Sequence, residues 1–222
     1  MRVLIACEFS GIVRDAFAAR GHDAWSCDLL PSESPSHEFN SLHGGGSANH
    51  IQGDVFGLTL KGWDLLTFHW PCTYLLFSGF RWINNPPPKP NPAKIYGEER
   101  RKMMIDHAHK FKRLLDCGIP KIAGENPRMC KPAREIVGEP SQLIRPCQYG
   151  DDAQKSTFLW LRNLPKLEPT NIVQTLIHTS KSGRKWDKWF FDSSLISNLD
   201  KRSKFRSRTF PGIALAMAEQ WG

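Results

Sequence analysis

The stretch Arg2-Val3-Leu4-Ile5-Ala6-Cys7-Glu8-Phe9-Ser10-Gly11-Ile12-Val13-Arg14-Asp15-Ala16-Phe17 decides the fold class. Its opening apolar run, Val3 to Cys7, has the length and continuity of a strand buried on both faces. Phe9-Ser10-Gly11 breaks that run with a turn. Ile12, Val13, Ala16 and Phe17 then recur at helical spacing until Gly21 closes the segment. A buried strand that feeds a helix through a tight turn is the first half of a βαβ unit.

The rest of the chain extends the pattern. Residues 23–28 and 64–69 read as further strands, the second running into Trp70-Pro71-Cys72-Thr73. Residues 98–117 give the clearest helix: Met104, Ala108, Phe111 and Leu115 make one apolar stripe, and Gly118-Ile119-Pro120 ends it. Lys121 to Glu125 is a strand that delivers Asn126-Pro127, and residues 156–162 form a later one. The alternation predicts an α/β fold, a mostly parallel sheet with helices on both faces. Two segments read as loops: residues 30–49, rich in Pro, Ser, Gly and His, and the proline run 84–92, taken as a surface loop over the site.

Composition narrows the function. The chain has 222 residues with 30 Lys plus Arg against 22 Asp plus Glu, a formal net charge of +8 that favours a polyanionic partner. No apolar run reaches the ~18 residues of a membrane span, and residues 1–7 turn polar too soon for a secretory leader. The six cysteines are scattered without a CxxC or a Cys/His ligand spacing, so reduced thiols in a cytoplasmic protein are expected and no metal site is predicted. His37, His43 and His50 fall in the first loop with nothing to complete a metal site. His107 and His109, two apart on a helix, face different ways. Three parts are expected: residues 1–162 as the core, 163–205 as a short basic and aromatic segment, and 206–222 as a helix returning to the core. The middle part mixes Arg184, Lys185 and Lys188 with Trp186, Trp189, Phe190 and Phe191. Either it is a solvated loop docking its rings on the core, or it offers cations to phosphates and ring faces to bases.

In an open α/β sheet, ligands bind beyond the carboxyl ends of the strands. Those ends carry Glu8-Phe9-Ser10-Gly11, Asp28, Gly53-Asp54, Pro71-Cys72 and Glu125-Asn126. Asp28 suits a ribose diol or a cap on the next segment, and Asp54 can likewise be a cap. Cys72 is a nucleophile or a small buried hydrophobe. His69 reads as a packing residue. Tyr74, Ser78 and Arg81 follow Cys72 on a segment able to close over a base or touch phosphate.

Phe9-Ser10-Gly11, Asp28, Asp54, Pro71-Cys72 and Glu125-Asn126, in this order, resemble the DNA (cytosine-5) methyltransferase family. Pro71-Cys72-Thr73-Tyr74-Leu75, Gln154-Lys155-Ser156-Thr157 and Arg208-Thr209-Phe210-Pro211-Gly212-Ile213-Ala214 are similar to its short phage and prophage members. The resemblance implies a Rossmann-like fold that binds S-adenosylmethionine, with Phe9, Ser10, Gly11 and Pro71 shaping its pocket, Asp28 on the ribose and Asp54 on the adenine. It implies attack by Cys72 on C6 of a flipped-out cytosine in double-stranded DNA while Glu125 protonates N3. A cationic surround would lower the thiol's pKa, and burial would keep Glu125 partly protonated. Asn126, Lys155 and Thr157 would hold the substrate, and Arg81, Arg184, Lys185 and Lys188 would touch DNA. Lys155 stands where the family carries Arg-x-Arg, and Trp70 precedes Pro71 where a smaller residue is usual. So short a reader segment implies short or relaxed specificity. Two other classes remain in view: the same thiol chemistry on RNA or a free nucleotide, and a catalytically silent DNA-binding protein.

Overall fold

The computed structural model describes residues 1–34, 49–89, 91–92, 94–180 and 182–222; His37, His43 and Lys181 lie outside them. In chain order the elements are β1 Arg2–Ala6, α1 Ile12–Ala18, β2 Asp23–Asp28, β3 His50–Gln52, β4 Leu65–His69, α2 Phe77–Asn84, α3 Gly97–Leu115, β5 Lys121–Asn126, α4 Lys131–Val137, β6 Gln142–Ile144, β7 Thr157–Arg162, β8 Ile177–Thr179, β9 Lys185–Asp187, α5 Lys188–Leu195, α6 Leu199–Ser207 and α7 Pro211–Trp221. The main sheet has the order β3-β2-β1-β4-β5-β7-β6. β1 to β5 run parallel, and β7 is antiparallel to both of its neighbours. This is a Rossmann-like α/β arrangement, with the strand order reversing between β1 and β4.

Strand β1 shows why both faces are covered. Val3 and Ile5 point to one side and join Val13 and Phe17 of α1 and Ile213, Met217 and Trp221 of α7. Leu4 and Ala6 point to the other and join Met104, Phe111 and Leu114 of α3 with Ala133 and Val137 of α4. A strand buried on both sides needs apolar residues at every position rather than every second one. Each fully buried ring or branched side chain contributes roughly 1.5–3 kcal/mol.

Some elements differ from the sequence reading. His50 lies in β3, paired in parallel with Ser26 of β2, rather than in a loop. Three residues are too few to show a period. α2 and α4 were hidden by Gly79 and by Pro132, which sits in the first turn of α4. The described residues of the proline run flank the start of α3, where the Asn91 amide donates to the Tyr96 hydroxyl and Arg101 donates to Asn84.

Residues 163–205 fold as the β8–β9 hairpin followed by α5 and α6. Their rings stack on one another: His178 on Phe191 with centroids 3.6 Å apart, Trp186 on Phe190, and Trp189 on Phe205. This appendage is fastened to the segment before β7. Leu176 N donates to Asp152, Gln154 N to Asp187, and Lys155 Nζ to the Arg206 carbonyl.

Candidate active site

The ends of β1, β4 and β5, with the start of β7, form one row at the switch point. Gly11 holds the turn after β1 at φ 76°, a left-handed conformation natural to glycine. A Cβ there would meet the Arg14 guanidinium at 2.5 Å and Ser34 at 2.7 Å. Glu8 is buried and caps α1 from below: Val13 N lies 2.7 Å from its Oε1, and Ser10 Oγ also donates to it. Burial pushes the Glu8 carboxyl up, while the His69 charge and the Val13 and Arg14 amides pull the other way. Arg14 is 2% exposed; its Nη1 reaches Ser26 and Ser32, and its Nη2 has no partner among the described residues.

The acids of the next two strands share this end of the sheet. Asp28 Oδ1 accepts from Leu30 N at 2.9 Å, and Asp54 Oδ1 caps the short helical turn after β3 by accepting from Phe56 N. Burial raises the Cys7 thiol far above its ordinary value, with the Asp28, Cys27 and Asp54 groups adding to it. Leu29 and Leu30, beside Asp28, are exposed. The Asp28 carboxylate, two open leucines and a buried cation with an N–H unpaired among the described residues offer the three chemistries that the diol, base and carboxylate of an adenosyl amino acid would need.

On the other side of the row, His69 and Glu125 end adjacent strands as register partners. His69 Nδ1 lies 3.3 Å from Glu125 Oε2 and 3.4 Å from Thr209 Oγ1, and Nε2 is buried without a partner among the described residues. Burial pushes the Glu125 carboxyl up, but the His69 hydrogen bond and the charges of Lys155 and His69 outweigh it and hold it below the usual carboxylate range. The expectation of a partly protonated Glu125 therefore fails for the free protein, because sequence gives no sign of the imidazole beside it. The Cys72 thiol is also corrected. Burial first and the Glu125 charge second push it up, and Lys155 offsets only part of this. Cys72, Glu125 and Lys155 thus act on one another, although they come from three separate segments.

Glu125, Lys155 and Thr157 line a narrow crevice, closed opposite by Ser207, Arg208, Thr209 and Phe210, with about 10 Å³ inside, room for a single water. Asn126 is fully buried and donates its amide to the Trp70 carbonyl at 2.7 Å, so it fixes the chain ahead of Cys72. Trp70 faces the interior. It is buried against Phe56, and its Nε1 donates to His107. Pro71 is exposed, and Phe9 and Ser10 are buried in the turn.

The proposed DNA contacts lie outside this row. Arg81 on α2 stacks over Trp82, and Arg184 stacks over Trp186. Lys185 is exposed, and Lys188 is engaged by Asp192 one turn along α5. Among the described residues no cluster of His, Cys, Asp and Glu could hold a metal, and no helix is long and apolar enough to cross a membrane.

Arg100 is a residue the sequence reading missed. It is 7% exposed and donates to three carbonyls, Thr73, Gly79 and Ile95, which pins both sides of the turn after Cys72. Gly79 has to be small, since a Cβ would come 2.6 Å from Arg100 Nη2. The available signal was a charge on an apolar stripe, one turn ahead of Met104, Ala108 and Phe111.

No protein-family model and no curated protein matches the chain. Among solved structures it is similar to a prophage-encoded E. coli protein described as a DNA modification methyltransferase, at 16% identity over 72% of this chain and 45% of that one, TM-score 0.40. It is also similar to a triple mutant of Spodoptera frugiperda DNMT2, at 12% identity over 78% of this chain and 54% of that one, TM-score 0.38. The chain spans about half the length of these two structures.

Proposed function

We propose that the protein transfers a methyl group from S-adenosylmethionine to C5 of cytosine in DNA, with Cys72 as nucleophile. The observation that carries this reading is that Cys72 follows the end of β4 beside the β5 end that bears Glu125, with Lys155 lining the same crevice as Glu125, on the row of strand ends that includes the Gly11 turn with its buried Arg14. When bound at that turn, the cofactor supplies an electrophilic methyl on a sulfonium centre.

The side chains divide the work. The Cys72 thiolate adds to C6 of the ring, which leaves C5 electron-rich. Lys155 favours the thiolate and Glu125 opposes it, so the negative charge of Glu125 has to fall as the base arrives. A proton taken up by Glu125 from water as the base enters, with His69 Nδ1 beside its Oε2, and handed on to N3 does this and cancels the charge developing on the ring. After C5 takes the methyl, loss of the C5 proton to water restores the double bond and expels Cys72 as thiolate, and N3 returns its proton to Glu125. Arg100 and Asn126 hold the Cys72 segment in place throughout. In this reading residues 163–205, with Arg81, Arg184, Lys185 and Lys188, contact DNA, and so small a reader recognises few bases. The cellular setting that fits is the cytoplasm of a prokaryotic or phage-infected cell.

The narrow crevice favours a second reading, a DNA-binding protein on the same fold with silent chemistry. DNA carrying 5-fluorocytosine separates the two. The enzyme should form an irreversible adduct with the native chain and none with Cys72→Ser. DNA binding without any adduct would leave the silent reading standing. Adduct formation on RNA or free nucleotide alone would move the activity away from DNA.

A further inference from the structure

Beside the crevice lies a larger cleft of about 220 Å³, walled by Trp186, Trp189 and Phe190 together with Gln154, Lys155 and Asp187. We propose that this cleft holds a nucleobase of the substrate strand other than the one that reacts, stacked on the Trp186–Phe190 pair. The inference rests on the reading of the protein as DNA-modifying and adds where a neighbouring base goes.

Four observations support that occupant. The Trp186 and Phe190 rings are nearly parallel, 8° apart with centroids at 5.6 Å, and Phe190 is 40% exposed, so an aromatic platform faces outward. Cations lie over the two rings: the Arg184 guanidinium sits over Trp186, 5.0 Å from the centroid, and that of Arg206 over Phe190 at 4.6 Å. Ring faces that already carry guanidinium groups suit a base joined to phosphates, which draws those cations to itself as the base takes the ring face, and repel a cationic peptide. The carboxylate in the wall is already engaged, since Asp187 accepts from Phe190 N and Gln154 N. Finally, Lys155 lines both this cleft and the crevice with Glu125, so the two clefts are adjacent and suit residues close together on one strand.

The test uses the full chain and a duplex whose top strand holds a single cytosine, with one abasic site walked through the flanking positions. Binding is read by anisotropy for the native chain, Trp186→Ala and Trp186→Phe. The native chain should lose roughly 5- to 100-fold in affinity at one flanking position, the loss expected for one stacked base. Trp186→Ala should bind intact DNA weaker by a similar factor and show no further loss at that position, and Trp186→Phe should retain most of the native profile. A flat abasic scan, or the same penalty in Trp186→Ala, overturns the proposal. So does a native dimer that Trp186→Ala dissociates, because the platform would then pair with a second copy. Adduct formation on 5-fluorocytosine DNA is scored separately: a flat scan with adduct sinks only the cleft, and a position-dependent scan without adduct sinks only the chemistry.

Discussion

His69 and Glu125 are register partners at the ends of two parallel strands, and their side chains touch, Nδ1 to Oε2, at 3.3 Å. The pair keeps a nearly enclosed carboxylate ionised. Without the imidazole, burial would act on Glu125 with less opposition and its pKa would rise. His69→Ala should therefore slow methyl transfer about 100-fold and move the limb of the pH–rate profile that reports Glu125 to higher pH. His69→Gln, whose amide can donate to the carboxylate, should keep that limb near its native place. Identical limbs in all three proteins would remove His69 from the mechanism.

The Cys72 thiol is held above its ordinary value, so thiolate is scarce at neutral pH and its fraction grows as pH rises. Alkylation of Cys72 by iodoacetamide, followed by peptide mass spectrometry, should quicken steadily into the alkaline range. Glu125→Gln removes a charge that pushes the thiol up, so alkylation at pH 8 should be several-fold faster than in the native chain. Lys155→Met should make it slower. The opposite order for the two variants would show that these charges do not reach the sulfur.

Arg100 spends one guanidinium on three carbonyls around the turn after Cys72. Arg100→Ala strands those acceptors and should cost about 3 kcal/mol of stability, a fall in Tm of roughly 6–12 °C. Arg100→Lys should recover only part, because a single ammonium lacks the planar fork. In either variant kcat should fall more than KM rises. Melting curves that overlay the native one would show that the turn holds itself.

α7 begins against the loop before β7. Gly212 N donates to Asp151, and a Cβ on Gly212 would collide with the Tyr149 carbonyl. Gly212→Ala should destabilise the protein by about 2–3 kcal/mol. Gly57→Ala, in open space, should be close to neutral. Denaturant midpoints measure both, and equal midpoints for the two variants would refute the collision.

The parallel half of the fold was legible because strands such as Val3 to Ala6 are apolar at every position and α3 carries its stripe without interruption. What escaped were elements too short for periodicity, β3 and β6, and helices that open with a helix breaker, such as α4. Motifs single out Cys72, Glu125 and Lys155 as candidates but say nothing of their charge states. The raised Cys72 thiol and the lowered Glu125 carboxyl depend on who sits beside whom across separate strands. His69 illustrates the gap: as a strand-end histidine it looks like filler, and only the β4–β5 register sets it against Glu125. Arg100 was hidden for a similar reason, since its three partners are backbone carbonyls, which no side-chain pattern reveals.

The reversal of β7 has a mechanical consequence. Because that strand runs against β5, the chain reaches the reactive row before entering the sheet and leaves it at Arg162, on the opposite edge. There Asn163 donates to the Pro120 carbonyl, and the chain climbs back past Gln220 and Cys147 before it builds the hairpin. The appendage is thus a flange bolted along its length, not a pendulum on a single hinge. A load on that flange is carried through Asp187 and Arg206 to Gln154 and Lys155, and so reaches the ammonium whose charge acts on the Cys72 thiol.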